Sequence, residues 1–292
     1  HACAEDLEVL EHGLNIIPDT IFDTQIAAGI ANVGYSMGYA RLVQRLFDIE
    51  LDKQETRSDW LARPLTDRQI EYAAYDVAYL HSMYNVLSGM LSDQGRQHWF
   101  EEESLAVYTL VSDRKNTQDY HRKLKGAWKL SSEALTALKR LCDWREITAR
   151  ALDKPRSHVV KDNSLLEIAR RMPVVADEMR GIDDLYGGTI KRHGHALLQE
   201  VAIAGQDQSL QRLPEPLSKS VSAVMKTMRV ALNSLAEGIE LPLEFLSNKK
   251  ELESIVRSAS QGACVWPERL NTGWRQSLVK PALQDVLKEV QF

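Results

Sequence analysis

Apolar and polar positions alternate at two distinct periods along the chain, and the change divides it. Leu7, Val9 and Leu10 supply the apolar positions of a helix opening at Glu5, which Pro18 and Asp19 break. Ile21-Phe22-Asp23-Thr24 is a short β-prone run and predicts a strand. Residues 25–33 and 37–48 predict two helices around the Gly34-Tyr35-Ser36 turn, the second with Leu42, Val43, Leu46 and Phe47 at helical spacing. Thr66 caps a third helix, Gln69 completes a capping-box pattern, and this helix is expected to run through Tyr72, Asp76 and Leu80 toward Met90. The first hundred residues thus read as α/β.

From about residue 99 the pattern is nearly all helical. Ser131 or Ser132 starts a helix with Leu135, Leu138, Leu141 and Cys142 on one side, and Asp153-Lys154-Pro155 ends it. Asp162 or Asn163 caps the next, which stops before Pro173. The polar, proline-bearing stretch from Gly205 to Pro216 predicts a linker. Beyond it, Leu217, Val221, Val224, Met228, Leu232 and Leu235 form the stripe of an amphipathic helix, which core packing alone explains. Pro155, Leu165, Ile168, Ala169 and Arg170 correspond to Pro242, Leu252, Ile255, Val256 and Arg257. Their common offset and matched order predict a tandem pair of related helical domains.

Charge sharpens this division. The 292 residues carry a net charge of -5, distributed as -8 over residues 1–100 and +4 over residues 123–204. An acidic first part followed by a basic middle suggests nucleic-acid contact; ordinary surface variation is the plainer reading. No stretch approaches the roughly 18 apolar residues of a membrane span. Neither a basic n-region nor an apolar h-region follows His1, so no signal peptide is expected. Cys3, Cys142 and Cys264 lie far apart and form no CxxC pair, which points to a reducing cytoplasm.

Tyr72 and Asp76 are the first candidates for chemistry. Four residues apart on a predicted helix, they share a face one turn apart. A carboxylate beside a phenol can bind a hard cation and orient a water. The spacing alone fits a core-edge tyrosine and a solvated aspartate just as well.

The surrounding run is far more specific. Residues 51–80 read LDKQETRSDWLARPLTDRQIEYAAYDVAYL. This closely resembles the third exonuclease motif of the bacterial ribonuclease D family, 3′→5′ exoribonucleases of the DEDD superfamily, in the subtype with tyrosine four residues before the last aspartate. His1-Ala2-Cys3-Ala4-Glu5-Asp6-Leu7-Glu8-Val9-Leu10 resembles the second motif, and the helical remainder is similar to two HRDC domains. The resemblance implies residues 1–98 as the C-terminal portion of a ribonuclease H-like α/β exonuclease domain. A helical connector (99–122), a first HRDC-like domain (123–204), a linker (205–215) and a second HRDC-like domain (216–292) would follow.

The resemblance also implies a chemistry: hydrolysis of RNA from its 3′ end with two Mg²⁺ or Mn²⁺ ions. Asp76 would be a direct metal ligand, Asp6 would serve the second metal, and Tyr72 would orient the attacking water. The family's first motif, Asp-x-Glu on a strand upstream of the second, has no counterpart before His1. The expectation is an active parent protein and an inactive fragment. The expected substrate is the 3′ end of structured RNA, transfer-RNA precursors above all, acted on by a cytoplasmic monomer without a membrane partner. The contrasting readings are a non-catalytic RNA- or protein-binding module and a DNA-directed proofreading relative.

Other residues carry two readings each. Arg63 is a candidate phosphate contact or a partner of Trp60 in holding the loop before the helix. Lys53, Arg57 and Arg68 are basic positions near the site, and Tyr75 and Tyr79 flank Asp76. Asp23 could support the site by hydrogen bonding or be a buried strand-end carboxylate. Lys154, Arg156, His158 and Lys161 form a basic loop in the first repeat. Of these, Lys154, Arg156 and Lys161 are the candidate RNA contacts.

Overall fold

A computed structural model describes the chain except for residues 53–54, 114–118, 207–209 and 291–292. Lys53 and parts of the expected connector and linker therefore lie outside the described residues.

Helices form every regular element among these residues. In chain order they are α1 (Ala4–Leu14), α2 (Thr24–Ile30), α3 (Tyr39–Phe47), α4 (Asp67–Ala78), α5 (Leu80–Asp93) and α6 (Gln97–Asp113). Then come α7 (Tyr120–Lys123), α8 (Ser132–Ala151), α9 (Arg156–Val159), α10 (Asp162–Arg171) and α11 (Gly187–Ala204). Last are α12 (Lys219–Gly238), α13 (Leu243–Leu246), α14 (Lys249–Ser260), α15 (Glu268–Asn271) and α16 (Gly273–Glu289).

The expected strand at Ile21–Thr24 is not formed, so an α/β core is not seen among the described residues. The reason is local. Asp23 is the N-cap of α2 and its carboxylate accepts from the Gln25 and Ile26 N–H groups. Capping wins over the β propensity of the two residues before it. The single helix expected over residues 66–90 is two, separated at Tyr79.

The chain folds as two compact units. One joins residues 1–113 to residues 217–292; the other spans residues 114–216. In the first unit, Ile30, Leu42, Met83, Leu87 and Leu91 share one continuous core with Met228, Leu232, Leu246, Ile255 and Leu283. Neither the expected border at residue 98 nor a separate 216–292 domain is marked by a break in this core. Phe100 of α6, in the expected connector, is itself buried there. Arg96 donates to the carbonyls of Ile30 and Ile239, a link that satisfies two helix-end carbonyls at once. Arg275 is only 2% exposed, donates Nε to the Phe245 carbonyl at 2.7 Å and pairs with Glu103. Gly29 is required by close approach: a Cβ there would lie 2.6 Å from the Phe245 ring.

The second unit has its own core of Leu135, Leu138, Leu141, Leu165, Ile168 and Leu197. Ser131 caps α8, accepting from the Ala134 N–H. Lys161, not Asp162 or Asn163, is the N-cap of α10, and its side chain makes no capping bond.

The internal repeat extends to backbone detail. Helices α8, α9 and α10 start at residues 132, 156 and 162, and α12, α13 and α14 start at 219, 243 and 249, an offset of 87 each time. Asp153 and Glu240, also 87 apart, both adopt φ 49°. Pro155 and Pro242 are both N-caps of four-residue helices.

Candidate active site

Local hydrogen bonding places α4. The Thr66 hydroxyl accepts from the Gln69 N–H, and the Gln69 side chain returns to the Thr66 N–H, completing the capping box. Gln69 is buried, and its amide also donates to Ser58 Oγ and the Asp59 carbonyl. The start of α4 is thereby tied to the loop before it.

From this helix Tyr72 and Asp76 face one cleft of about 260 Å³. Tyr39, Arg41, Asp52, Thr56 and Tyr75 also line it. The Tyr72 hydroxyl lies 3.3 Å from Thr56 Oγ1, and its ring meets Trp60 at 5.8 Å. Partial burial raises the Asp76 carboxyl above its usual value. Among the described residues its side chain makes no hydrogen bond or ion pair to offset that cost. A divalent cation would, since a hard cation takes carboxylate oxygens and favours the ionised form.

Asp76 therefore fits a metal as a ligand, and Tyr72 stands beside it as a hydroxyl donor. Among the described residues, however, no group of three or more His, Cys, Asp or Glu side chains is arranged to hold an ion. Asp6 is exposed in the first turn of α1 and is not part of the cleft lining.

The start of α1 is anchored near α3. Asp23 is 3% exposed and accepts from the Ala2 and Cys3 N–H groups at 2.8 Å each. Burial would raise its carboxyl, but these donors and the Gln25 N–H hold it below the usual range. His1 bonds Thr24 Oγ1 at 2.8 Å and the Met37 carbonyl at 3.0 Å. Of the two readings for Asp23, the structure shows a buried carboxylate that caps α2 and ties down residues 2 and 3.

The basic candidates are partly occupied by protein groups. Arg63 is exposed, and its guanidinium donates to the Trp60 and Ala62 carbonyls, holding its own loop. In the second unit Arg156 and Lys161 line one groove of about 710 Å³ with Tyr120, Lys123, Arg145 and Asn163. Lys154 is exposed and not part of it. Arg156 pairs with Glu146 at 3.4 Å and lies 4.4 Å over the Tyr120 ring. Lys161 pairs with Asp184 at 2.6 Å, which raises the pKa of its ammonium. Tyr39, Arg41, Asp52 and Thr56 are cleft residues that sequence reasoning misses. Asp52 stands inside the motif-like run, but nothing in its spacing marks it. Tyr39 is signalled only by its place at the start of α3.

Comparisons with known proteins place the chain's family. A family model described as "3'-5' exonuclease" matches residues 1–92, and an HRDC domain model matches residues 134–201. Ribonuclease D of Pseudomonas paraeruginosa is 36% identical over 292 residues, covering 99% of this chain and 77% of that protein. Ribonuclease D of Serratia proteamaculans is 34% identical, covering 99% of this chain and 78% of that protein. The crystal structure of Escherichia coli RNase D, an exoribonuclease involved in structured RNA processing, matches with a TM-score of 0.82 and 31% identity, over 100% of this chain and 79% of that one. One HRDC match is found where two such domains are expected. With a cleft built on a Tyr72–Asp76 turn and relatives matched along nearly its whole length, the chain belongs to the ribonuclease D family of metal-dependent 3′–5′ exoribonucleases.

Proposed function

We propose that the cleft between α3 and α4 is the hydrolytic centre of an exoribonuclease that trims the 3′ ends of structured RNA, transfer-RNA precursors included. The observation that carries the reading is Asp76: an exposed carboxylate lining a cleft, its pKa raised by partial burial, with no hydrogen bond or ion pair among the described residues, one turn from a tyrosine hydroxyl. Asp76 would ligate a divalent ion directly, and Asp6 would serve a second ion. Two Mg²⁺ or Mn²⁺ ions, when bound, would supply charge stabilisation for the attacking and leaving oxygens of an in-line displacement. The Tyr72 hydroxyl, 3.3 Å from Thr56 Oγ1, would hold the attacking water by a hydrogen bond.

The groove of the second unit is read as a backbone contact, where Arg156, Lys161 and Lys123 meet phosphates. The match of an HRDC model to residues 134–201 and the 87-residue offset support reading residues 216–292 as a second HRDC-like domain, packed into the nuclease unit. The three cysteines are unbridged thiols, which supports a cytoplasmic setting. No helix among the described residues is long and apolar enough to cross a membrane.

The test is hydrolysis of 3′-hydroxyl single-stranded RNA in Mg²⁺ and in Mn²⁺ by the chain and by Asp76→Asn. Stepwise release of 3′ nucleotides, abolished in D76N, supports the reading. RNA affinity with neither hydrolysis nor Asp76-dependent Mn²⁺ binding supports a binding module instead, and equal cleavage of single-stranded DNA supports a proofreading relative.

A further inference from the structure

Helices α4 and α5 are separated by the single residue Tyr79, whose N–H turns to the Val77 carbonyl and to a side chain. In an uninterrupted helix the Tyr79 N–H would donate to the Tyr75 carbonyl. Here a third group stands between them. The Tyr39 hydroxyl donates to the Tyr75 carbonyl at 2.7 Å, and its oxygen accepts from the Tyr79 N–H at 3.2 Å. A side chain inserted into the ladder is a recognised cause of helix breaks. This one comes from α3 and enters one residue before Asp76 and three after it.

The carbonyl preceding Asp76 is thus held from α3 rather than by the ladder of α4. Aromatic rings flank the break. The Tyr39 ring meets the His1 ring edge-on at 5.8 Å. Phe47, at the other end of α3, stacks on Tyr79 with centroids 6.1 Å apart. Tyr39 lines the same cleft as Tyr72 and Asp76, and burial followed by the nearby Asp76 charge raises its phenol pKa.

We propose that Tyr39 is a positioning residue for Asp76: its hydroxyl, wedged between the Tyr75 carbonyl and the Tyr79 amide, sets the helical turn from which Asp76 faces the cleft. This rests on the reading of Asp76 as a metal ligand. Without the hydroxyl, the two backbone groups are left to bond each other, as a regular helix would have them. The fold then survives, but the turn carrying Asp76 rewinds.

The experiment measures Mn²⁺ binding to the full chain by electron paramagnetic resonance for wild type, Tyr39→Phe, Asp76→Asn and Phe47→Leu. A thermal melt of each is taken alongside. The expected result is binding by wild type, loss in D76N, and affinity roughly ten- to a hundredfold weaker in Y39F, the usual effect of removing a group that orients a ligand. F47L, which loosens the packing but keeps the hydroxyl, is expected to bind like wild type. Wild-type affinity in Y39F beside loss in D76N overturns the Tyr39 proposal and leaves the site reading intact. Equal weakening in F47L and Y39F overturns it too, because packing and not the hydroxyl is then responsible. Absent binding in wild type, or unchanged binding in D76N, overturns the site reading and the Tyr39 proposal with it.

Discussion

Trp99 and Trp274 stack with ring centroids 4.8 Å apart and planes at 22°, joining α6 to the start of α16. Trp274 is 3% exposed, and Arg275 lies over its ring at 4.2 Å. Removing so large a buried side chain costs both its transfer energy and the cavity it leaves. Trp274→Ala should destabilise the first unit by about 3–5 kcal/mol. Urea unfolding followed by circular dichroism checks this, and a change under about 1 kcal/mol would show that the stack is incidental.

Glu103 neutralises Arg275, which has almost no contact with water. Removing one partner of a buried pair leaves an uncompensated charge, at about 3–5 kcal/mol. Glu103→Ala should therefore cost several times more than Glu253→Ala. The latter breaks the partly exposed Arg257 pair, where about 0.2–1 kcal/mol is normal. Comparing the two unfolding midpoints in one buffer separates them.

Acid should act through Asp23. Its folded pKa lies below that of the unfolded chain, because the Ala2, Cys3 and Gln25 N–H groups favour the carboxylate. Its contribution to stability is thus fully present above the unfolded value of about 3.9 and is lost as pH falls toward the folded value. Asp23→Asn should melt lower at pH 6 and lose less on going to pH 3 than wild type. Parallel melting curves for the two proteins across that interval would contradict this.

Gly29 is a steric prediction. A methyl group there meets the Phe245 ring, which is itself buried. Gly29→Ala should cost about 1–3 kcal/mol, since overpacking forces ring and helix apart. Phe245→Leu in the same chain should recover part of that loss. Failure of the double variant to recover would place the strain elsewhere.

RNA affinity should respond to charge in the groove of the second unit. Arg156→Glu and Lys161→Glu should weaken binding of single-stranded RNA and flatten its dependence on salt, because fewer counterions are released. Lys154→Glu should have the smaller effect, as Lys154 stands outside the groove. Fluorescence anisotropy at two salt concentrations reads both quantities.

What was legible in the sequence was local. The Thr66–Gln69 capping box and the Tyr72–Asp76 spacing each depend on four or five consecutive residues, and both are present on α4. The order of helix, proline turn and second helix is likewise written twice in short range. Non-local bonds were not legible. Tyr39 reaches a backbone carbonyl 36 residues away, and nothing in its own neighbourhood announces that. The stripe from Leu217 to Leu235 predicts a helix that must bury one face, but a stripe does not name what covers it. The predicted strand at Ile21 failed for the converse reason: two β-prone residues preceded a cap whose hydrogen bonds decided the matter.

The nesting of one unit within the sequence of the other has a consequence for synthesis. Leu42, Met83 and Leu87 find their final neighbours only when Leu246, Ile255 and Leu283 have been made. At ribosomal speeds of about 5–20 residues per second, the segment ending at Asp113 waits on the order of ten to thirty seconds for α16. The inserted unit has all its core residues available earlier and can fold during that interval. Residues 217–292 thus close the core of the first unit only after the inserted unit has been made, and a nascent chain stalled after Pro216 would present the nuclease segment to chaperones rather than to RNA.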